Sequence, residues 1–273
     1  MPAPATKLED LRATLSQMGS VLVTFSGGID SALVLRVATD LLGEHAVGLT
    51  AVGPALAETE RAEAVRIARD MGARHLMVDS AEIHDPNYRK NPDDRCYFCK
   101  TELYRVAERK RAELDLGWIA NGTNADDLGD YRPGLRAADE GRVRSPLVEA
   151  GMGKADVRAA ARELGMDVWD KPASACLASR IPHGVEVTAE RLGRIGTLEA
   201  RLRGMGLRQV RARFHGDIVR VEVEAAELGR AFALRERILE VGRQAGFRFV
   251  TLDLAGYRTG SLNPDRTVTG RGD

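Results

Sequence analysis

The chain has 273 residues, 44% of them hydrophobic and 29% charged, with 40 Lys and Arg balancing 40 Asp and Glu. That length suits one large domain or two modest ones and buries about three quarters of the unfolded surface, so a core needs no disulfide scaffold. This composition excludes a mainly disordered chain, the 28 glycines lack the three-residue period of collagen, and zero net charge argues against a surface devoted wholly to nucleic acid. No apolar run reaches the length of a membrane span and Met1 to Asp10 lacks the apolar centre of a signal peptide, so the expected compartment is the cytoplasm.

In chain order, Val21 to Phe25 is a short apolar strand that stops at Ser26-Gly27-Gly28, and helical periodicity follows from Ser31 to Leu42. Strands are expected at Ala46 to Val52, His75 to Val78 and Trp118 to Ala120, with helices over Leu56 to Met71, Leu103 to Leu114 and Lys154 to Leu164. Such alternation predicts an α/β fold, a doubly wound parallel sheet with helices on both faces. The pattern then changes. Thr188 to Met205 reads as a helix with Leu192, Ile195, Leu198 and Leu202 on one stripe. Strands at Gln209 to Phe214 and Ile218 to Val223 flank a turn at His215-Gly216-Asp217, Glu224 to Val241 is mostly helical, and Phe247 to Leu254 is a last strand. This α-β-β-α-β order predicts a smaller α+β domain of the split βαβ kind. The boundary is placed at Ile181-Pro182-His183-Gly184, giving domains 1–183 and 184–273, with a frayed polar tail from Asn263.

Ser26-Gly27-Gly28-Ile29-Asp30-Ser31 lies between the first strand and its helix. Paired glycines let backbone N–H groups converge on an anion, the helix N-terminus adds its dipole, and Ser26 and Ser31 add hydroxyls. Ser31 or Asp30 can also cap the helix. No lysine follows the glycines, so this is not the Gly-Lys-Ser/Thr phosphate loop. Gly122-Thr123-Asn124-Ala125-Asp126-Asp127 follows another strand and can face the same ligand. Its paired carboxylates suit Mg²⁺ beside a polyphosphate, with Asp127 the first choice of ligand.

The three cysteines are Cys96, Cys99 and Cys176. Cys96-Tyr97-Phe98-Cys99 is compatible with a redox pair, half of a metal site, or chance. Three thiolates can hold a [4Fe–4S] cluster and leave one iron open, and a Cys₃His zinc site is also possible. Cys176 is a candidate nucleophile if Lys171 and Arg180 depress its pKa; the alternative is a small buried side chain. Its surroundings, from Asp170 to Gly184, hold two prolines, small residues and bracketing cations, which suits an active-site loop better than a core element. Ser179, Arg180, Arg211 and Arg213 are candidates for binding an anionic substrate. Arg211 and Arg213 alternate on one strand and share a face, the other reading being a solvated sheet face.

The Ser26–Ser31 loop resembles that of the PP-loop ATP pyrophosphatases, which have the adenine nucleotide alpha hydrolase-like fold. With Pro172-Ala173-Ser174-Ala175-Cys176-Leu177-Ala178-Ser179-Arg180-Ile181-Pro182, Asp94 to Lys100 and Gly256 to Asn263, the chain resembles the LarE family over residues 8 to 263. The resemblance implies an ATP-dependent sulfur transferase of nickel-pincer nucleotide biosynthesis, the cofactor of lactate racemase. Such an enzyme adenylates the carboxylates of pyridinium-3,5-biscarboxylic acid mononucleotide and replaces oxygen by sulfur. It further implies ATP and Mg²⁺ at Ser26, Gly27, Gly28, Asp30, Ser31, Gly122 and Thr123, and a [4Fe–4S] cluster on Cys96, Cys99 and Cys176 as in the three-cysteine members. Members with only the Cys176 equivalent surrender that residue's own sulfur. A homohexamer, a downstream nickel-inserting protein, and neither membrane nor nucleic-acid partners are implied as well. Tyr97 is a candidate to stack on the pyridinium ring. Competing readings are a tRNA thiolase, which a neutral chain without a basic extension disfavours, an amidating synthetase, and a non-enzymatic metal-binding module.

Overall fold

The computed structural model describes residues 4–129, 133–171 and 175–258; the segment 172–174, the end of the Gly256 to Asn263 motif and the polar tail lie outside the described residues. The chain divides into two compact units, Met1–Tyr88 with Pro92–Ser174, and Arg89–Asn91 with Ala175–Asp273.

The first unit opens with α1 (Pro4–Met18), β1 (Val21–Thr24), α2 (Ile29–Leu42), β2 (Ala46–Val52), α3 (Glu58–Asp70) and β3 (Arg74–Asp79). It continues through α4 (Pro86–Arg89), α5 (Arg95–Glu113), β4 (Trp118–Ala120), α6 (Pro133–Glu140), α7 (Pro146–Glu149) and α8 (Lys154–Glu163). The strands form one sheet in the order β3-β2-β1-β4, every pair parallel. The expected strands thus stand within about two residues of their predicted bounds. The sheet is covered on both faces, and β1 is buried throughout. Val21 and Val23 pack into a core with Leu11, Leu15, Leu33, Ile67 and Val157 of α1, α2, α3 and α8. Leu22 joins Val47, Leu49 and Ile119 against Ala107 of α5.

Two elements extend the sequence reading. α1 was not anticipated, although Leu8, Leu11, Leu15 and Met18 form a buried stripe at helical spacing. α5 starts at Arg95, well before the expected Leu103, so Cys96 and Cys99 sit in its first turns. They are three residues apart and share a helix face.

The second unit contains α9 (Ala189–Gly204), β5 (Val210–His215), β6 (Ile218–Val223), α10 (Leu228–Ala233), α11 (Arg235–Gln244) and β7 (Phe249–Leu252). β5 and β6 form an antiparallel hairpin, with His215 opposite Ile218. β7 pairs directly with β6 in parallel, giving the order β5-β6-β7. The split arrangement is therefore corrected, since no strand lies between the parallel pair. β6, the α10–α11 crossover and β7 form an ordinary βαβ unit with β5 added on the outer edge. This unit takes in residues from Ala175, ahead of the expected 184. Local bonds explain why. Asn91 Nδ2 donates to the carbonyls of Pro182 and Val185 at 2.7 and 2.9 Å, and Arg180 pairs with Glu199 of α9. No helix among the described residues is long and apolar enough to cross a membrane.

Candidate active site

In the first unit the sheet order reverses between β1 and β4. Open α/β sheets bind ligands at this point, outside the carboxyl ends of the strands. Both loops singled out in the sequence lie there. Gly27 has φ +73°, and a Cβ on it would come 3.2 Å from Cβ of Ala64 on α3, so the turn needs glycine for conformation and for space. The two serines tie the loop to the helix start. Ser26 N–H donates to Ser31 Oγ at 3.2 Å, the two hydroxyls are 3.1 Å apart, Gly28 N–H donates to Ser26 Oγ at 3.3 Å, and Ser31 Oγ donates to the Gly28 carbonyl at 3.1 Å. The capping role expected of Ser31 or Asp30 is not seen. Gly28 is the N-cap of α2 and makes no side-chain cap hydrogen bond, so the helix start presents main-chain N–H groups.

The β4 loop meets this turn closely. A Cβ on Gly122 would stand 2.5 Å from Ser31 N, which makes Gly122 a close-approach residue between loop and helix. Thr123 N–H donates to Asn121 Oδ1 at 2.9 Å, and Asn124 Nδ2 donates to Asp30 Oδ1 at 2.9 Å. Of the two loop acids, Asp126 accepts from Lys154 N at 2.7 Å at the start of α8. Asp127 is buried beside Asp30, with the Lys154 ammonium 3.7 Å from its Oδ1. Burial pushes the Asp30 pKa up, as does the charge of Asp127, while the Asn124 hydrogen bond and Lys154 pull it down; the net shift is upward. Two carboxylates in this relation suit a divalent cation, whose charge would relieve both. Among the described residues no three His, Cys, Asp or Glu side chains come together as a ligand set.

Lys171 is elsewhere than the sequence suggested. Its ammonium donates to the Gly27 carbonyl at 3.0 Å and pairs with Glu63 and Glu60 of α3 at 2.7 and 3.3 Å. It serves the glycine turn rather than a cysteine.

In the second unit Cys176 is exposed and precedes a 3₁₀ turn over Leu177–Arg180. Its carbonyl accepts from Ser179 N at 3.0 Å, Ser179 Oγ at 2.8 Å and Arg180 Nη1 at 3.0 Å. The backbone is thereby fixed while the thiol stays accessible, and the reading of Cys176 as a buried residue is overturned. Arg180 is 1% exposed and forms a two-pronged pair with Glu199 at 2.8 and 3.0 Å. Burial pushes the Glu199 pKa up, but the Arg180 hydrogen bond and charge, the Ala212 N–H and Arg203 outweigh it and hold it below the usual range. Arg180 therefore positions the cysteine loop.

Arg213 likewise pairs with buried Glu222 at 3.0 Å and donates to the Ser179 carbonyl at 3.1 Å. Arg211 is buried too, with its guanidinium 5.2 Å from the Tyr257 ring centre and one bond to the Val210 carbonyl. Burial first, then Arg180, lowers its pKa. Arg211 and Arg213 share a face as expected, but it is a buried one, not a solvated one. Tyr97 donates to Glu140 at 2.7 Å, and the Arg136 guanidinium lies 3.8 Å over its ring, so one face already carries a cation.

Sequence reasoning missed Lys171 at the turn, Asn124, Glu199 and Glu222. Glu199 alone left a trace, an acid on the buried side of the Leu192–Leu202 stripe.

No family model matches the chain. Curated relatives do. An uncharacterised protein of Synechocystis sp. is 42% identical over 261 residues, 94% of this chain and 97% of the relative. Pyridinium-3,5-bisthiocarboxylic acid mononucleotide synthase of Lactiplantibacillus plantarum is 37% identical over 268 residues, 98% of this chain and 97% of the relative. The tRNA-specific 2-thiouridylase of Xanthobacter autotrophicus is 30% identical over 197 residues, 56% of this chain and 49% of the relative. Near-complete mutual coverage at that identity, on a doubly wound sheet with its glycine turn at the switch point, makes the chain a member of the LarE family of sulfurtransferases, within the PP-loop superfamily.

Proposed function

We propose that the protein uses ATP with Mg²⁺ to adenylate the carboxylates of pyridinium-3,5-biscarboxylic acid mononucleotide, then replaces oxygen by sulfur to give the bisthiocarboxylic acid mononucleotide. The near-full-length likeness to the Lactiplantibacillus synthase carries this reading. A carboxylate oxygen is a poor leaving group until it is part of AMP. The substrate carboxylate attacks the α-phosphorus, pyrophosphate departs, and sulfur then displaces AMP. The main-chain N–H groups at Gly28 and the start of α2 would receive the departing pyrophosphate charge, with Ser26 and Ser31 orienting the turn. Asp30 and Asp127 would hold Mg²⁺. Gly122 and Thr123 would line the same crevice.

The sulfur source we propose is a [4Fe–4S] cluster on Cys96, Cys99 and Cys176. The donor chemistry suits it, because thiolates are the soft ligands that iron–sulfur clusters take and none of the three cysteines is fully buried. Held by these three cysteines, such a cluster would supply sulfur as a soft, anionic sulfide. Ser179, Arg180, Arg211 and Arg213 are proposed to serve the anionic substrate. In this role Ser179, Arg180 and Arg213 act by fixing the Cys176 loop, while Arg211 offers its cation to a phosphate. The product would pass to a nickel-inserting protein.

The test is iron and acid-labile sulfide content after anaerobic reconstitution, for the wild type beside Cys96→Ala, Cys99→Ala and Cys176→Ala. Roughly four irons per chain, lost in each variant, is the expected result. No iron, with loss of one H₂S of mass after turnover with ATP and substrate, would instead make the exposed Cys176 the consumed sulfur donor.

A further inference from the structure

Lys171 has no place in the chemistry above, yet it is the cation that touches the glycine turn. Its side chain is largely buried, its ammonium donates to the Gly27 carbonyl at 3.0 Å, and Glu63 and Glu60 neutralise it. The carbonyl of Gly27 and the N–H of Gly28 belong to one peptide unit. No peptide bond in the described chain is cis, so that oxygen and that hydrogen point in opposite directions. Holding the oxygen toward α3 turns the Gly28 N–H toward Ser26 Oγ, the side on which Ser26 and Ser31 gather. Glycine at φ +73° followed by glycine leaves this peptide with no Cβ on either side to resist a flip. A flipped peptide would present a carbonyl oxygen where an anion should bind.

We infer that Lys171 is a positioning residue of the nucleotide site, one that locks the Gly27–Gly28 peptide in its anion-receiving orientation. The lysine does not itself contact phosphate, because its charge is already matched by Glu60 and Glu63. This arrangement differs from phosphate loops in which lysine reaches the ligand directly. The inference rests on the reading of the turn as an ATP site.

Gly27–Gly28 is the only Gly–Gly pair in the sequence. Labelling glycine with ¹³C at the carbonyl and ¹⁵N at the amide therefore yields a single carbonyl-to-amide correlation, that of Gly28, in the full-length protein. In Lys171→Met this signal should shift without any nucleotide present, and Lys171→Arg should restore it. Calorimetric titration with the magnesium complex of α,β-methylene-ATP should show affinity weakened about tenfold or more in Lys171→Met, the size of one charged hydrogen bond, and recovered in Lys171→Arg. Adding Glu60→Gln and Glu63→Gln to Lys171→Met should not restore binding.

Unchanged affinity and an unmoved signal in Lys171→Met would overturn the inference. So would full rescue by the two glutamines, which would reduce Lys171 to neutralising acids. Should the methionine variant fail to fold, Glu63→Gln alone, which loosens the ammonium, must still move the Gly28 signal. A wild type that does not bind the analogue at all would refute the ATP reading instead.

Discussion

Around Ser26 to Ser31 the polar geometry is built from main chain, two hydroxyls, the Asp30 carboxylate that Asn124 holds, and one lysine distant in sequence. Around Cys176 it is built from long charged side chains buried in pairs, Arg180 with Glu199 and Arg213 with Glu222. The first arrangement leaves N–H groups at a helix start available for a ligand. The second spends nearly all its donors on protein acceptors and leaves a thiol exposed. A backbone site can receive charge with little rearrangement, whereas a side-chain site of this kind holds a loop still. Arginine in a candidate site is therefore ambiguous until its acceptors are known.

The comparison breaks most severely at Glu199. Glu199→Ala strands buried Arg180 and leaves Ala212 N–H unpaired, so we expect about 3–5 kcal/mol of lost unfolding free energy in chemical denaturation. The effect should be confined to the second unit if the units unfold separately.

Gly122→Ala probes the backbone site. A Cβ 2.5 Å from Ser31 N must displace the loop, and overpacking of this kind costs about 1–3 kcal/mol. Binding of magnesium α,β-methylene-ATP should fall with it, while iron content after reconstitution stays at the wild-type level. Thr188→Ala removes the side chain that accepts from Arg191 N at the start of α9 and should cost about 1 kcal/mol in the same denaturation experiment.

The smallest effect is a difference in pH response. The folded Asp30 carboxyl has a raised pKa, so the folded state holds that proton more tightly than the unfolded chain. Its contribution to stability is fully present below the unfolded value and is lost as pH rises through the folded value. Glu199 is shifted downward, so its contribution is present above the unfolded value and lost as pH falls through the folded one. Asp30→Asn should flatten the decline above the ordinary carboxyl range, and abolish activity. Denaturant midpoints measured from pH 4 upward would check this, and an unchanged slope would count against the raised pKa that burial gives Asp30.

Much of this was legible in the chain itself. The parallel sheet followed from apolar runs alternating with helical stripes, and the glycine turn from two glycines after a strand. The three cysteines and the Cys176 segment carried the family. What sequence spacing could not carry was partner choice. Lys171 lies five positions from Cys176 in the chain but gives its ammonium to Gly27, 144 positions away. Arg211 and Arg213 alternate as read, yet only the fold shows that Arg213 pairs with Glu222 of β6 and Arg180 with Glu199 of α9. The split βαβ expectation failed for a related reason. Element order does not specify which strands become neighbours, and β7 chose β6.

One bond made by Glu199 bears on a different hazard. β5 is an outer strand, and Ala212 N–H on it faces away from β6 and donates to Glu199 Oε1 at 2.9 Å. Unpaired edge amides are templates for intermolecular strand addition, and chains protect them with charge or cover. Here the carboxylate that balances Arg180 also blocks that edge, so its loss would expose a sticky strand in a chain already weakened. Glu199 substitutions should therefore be recovered from the insoluble fraction on expression more often than other buried changes of equal energetic cost.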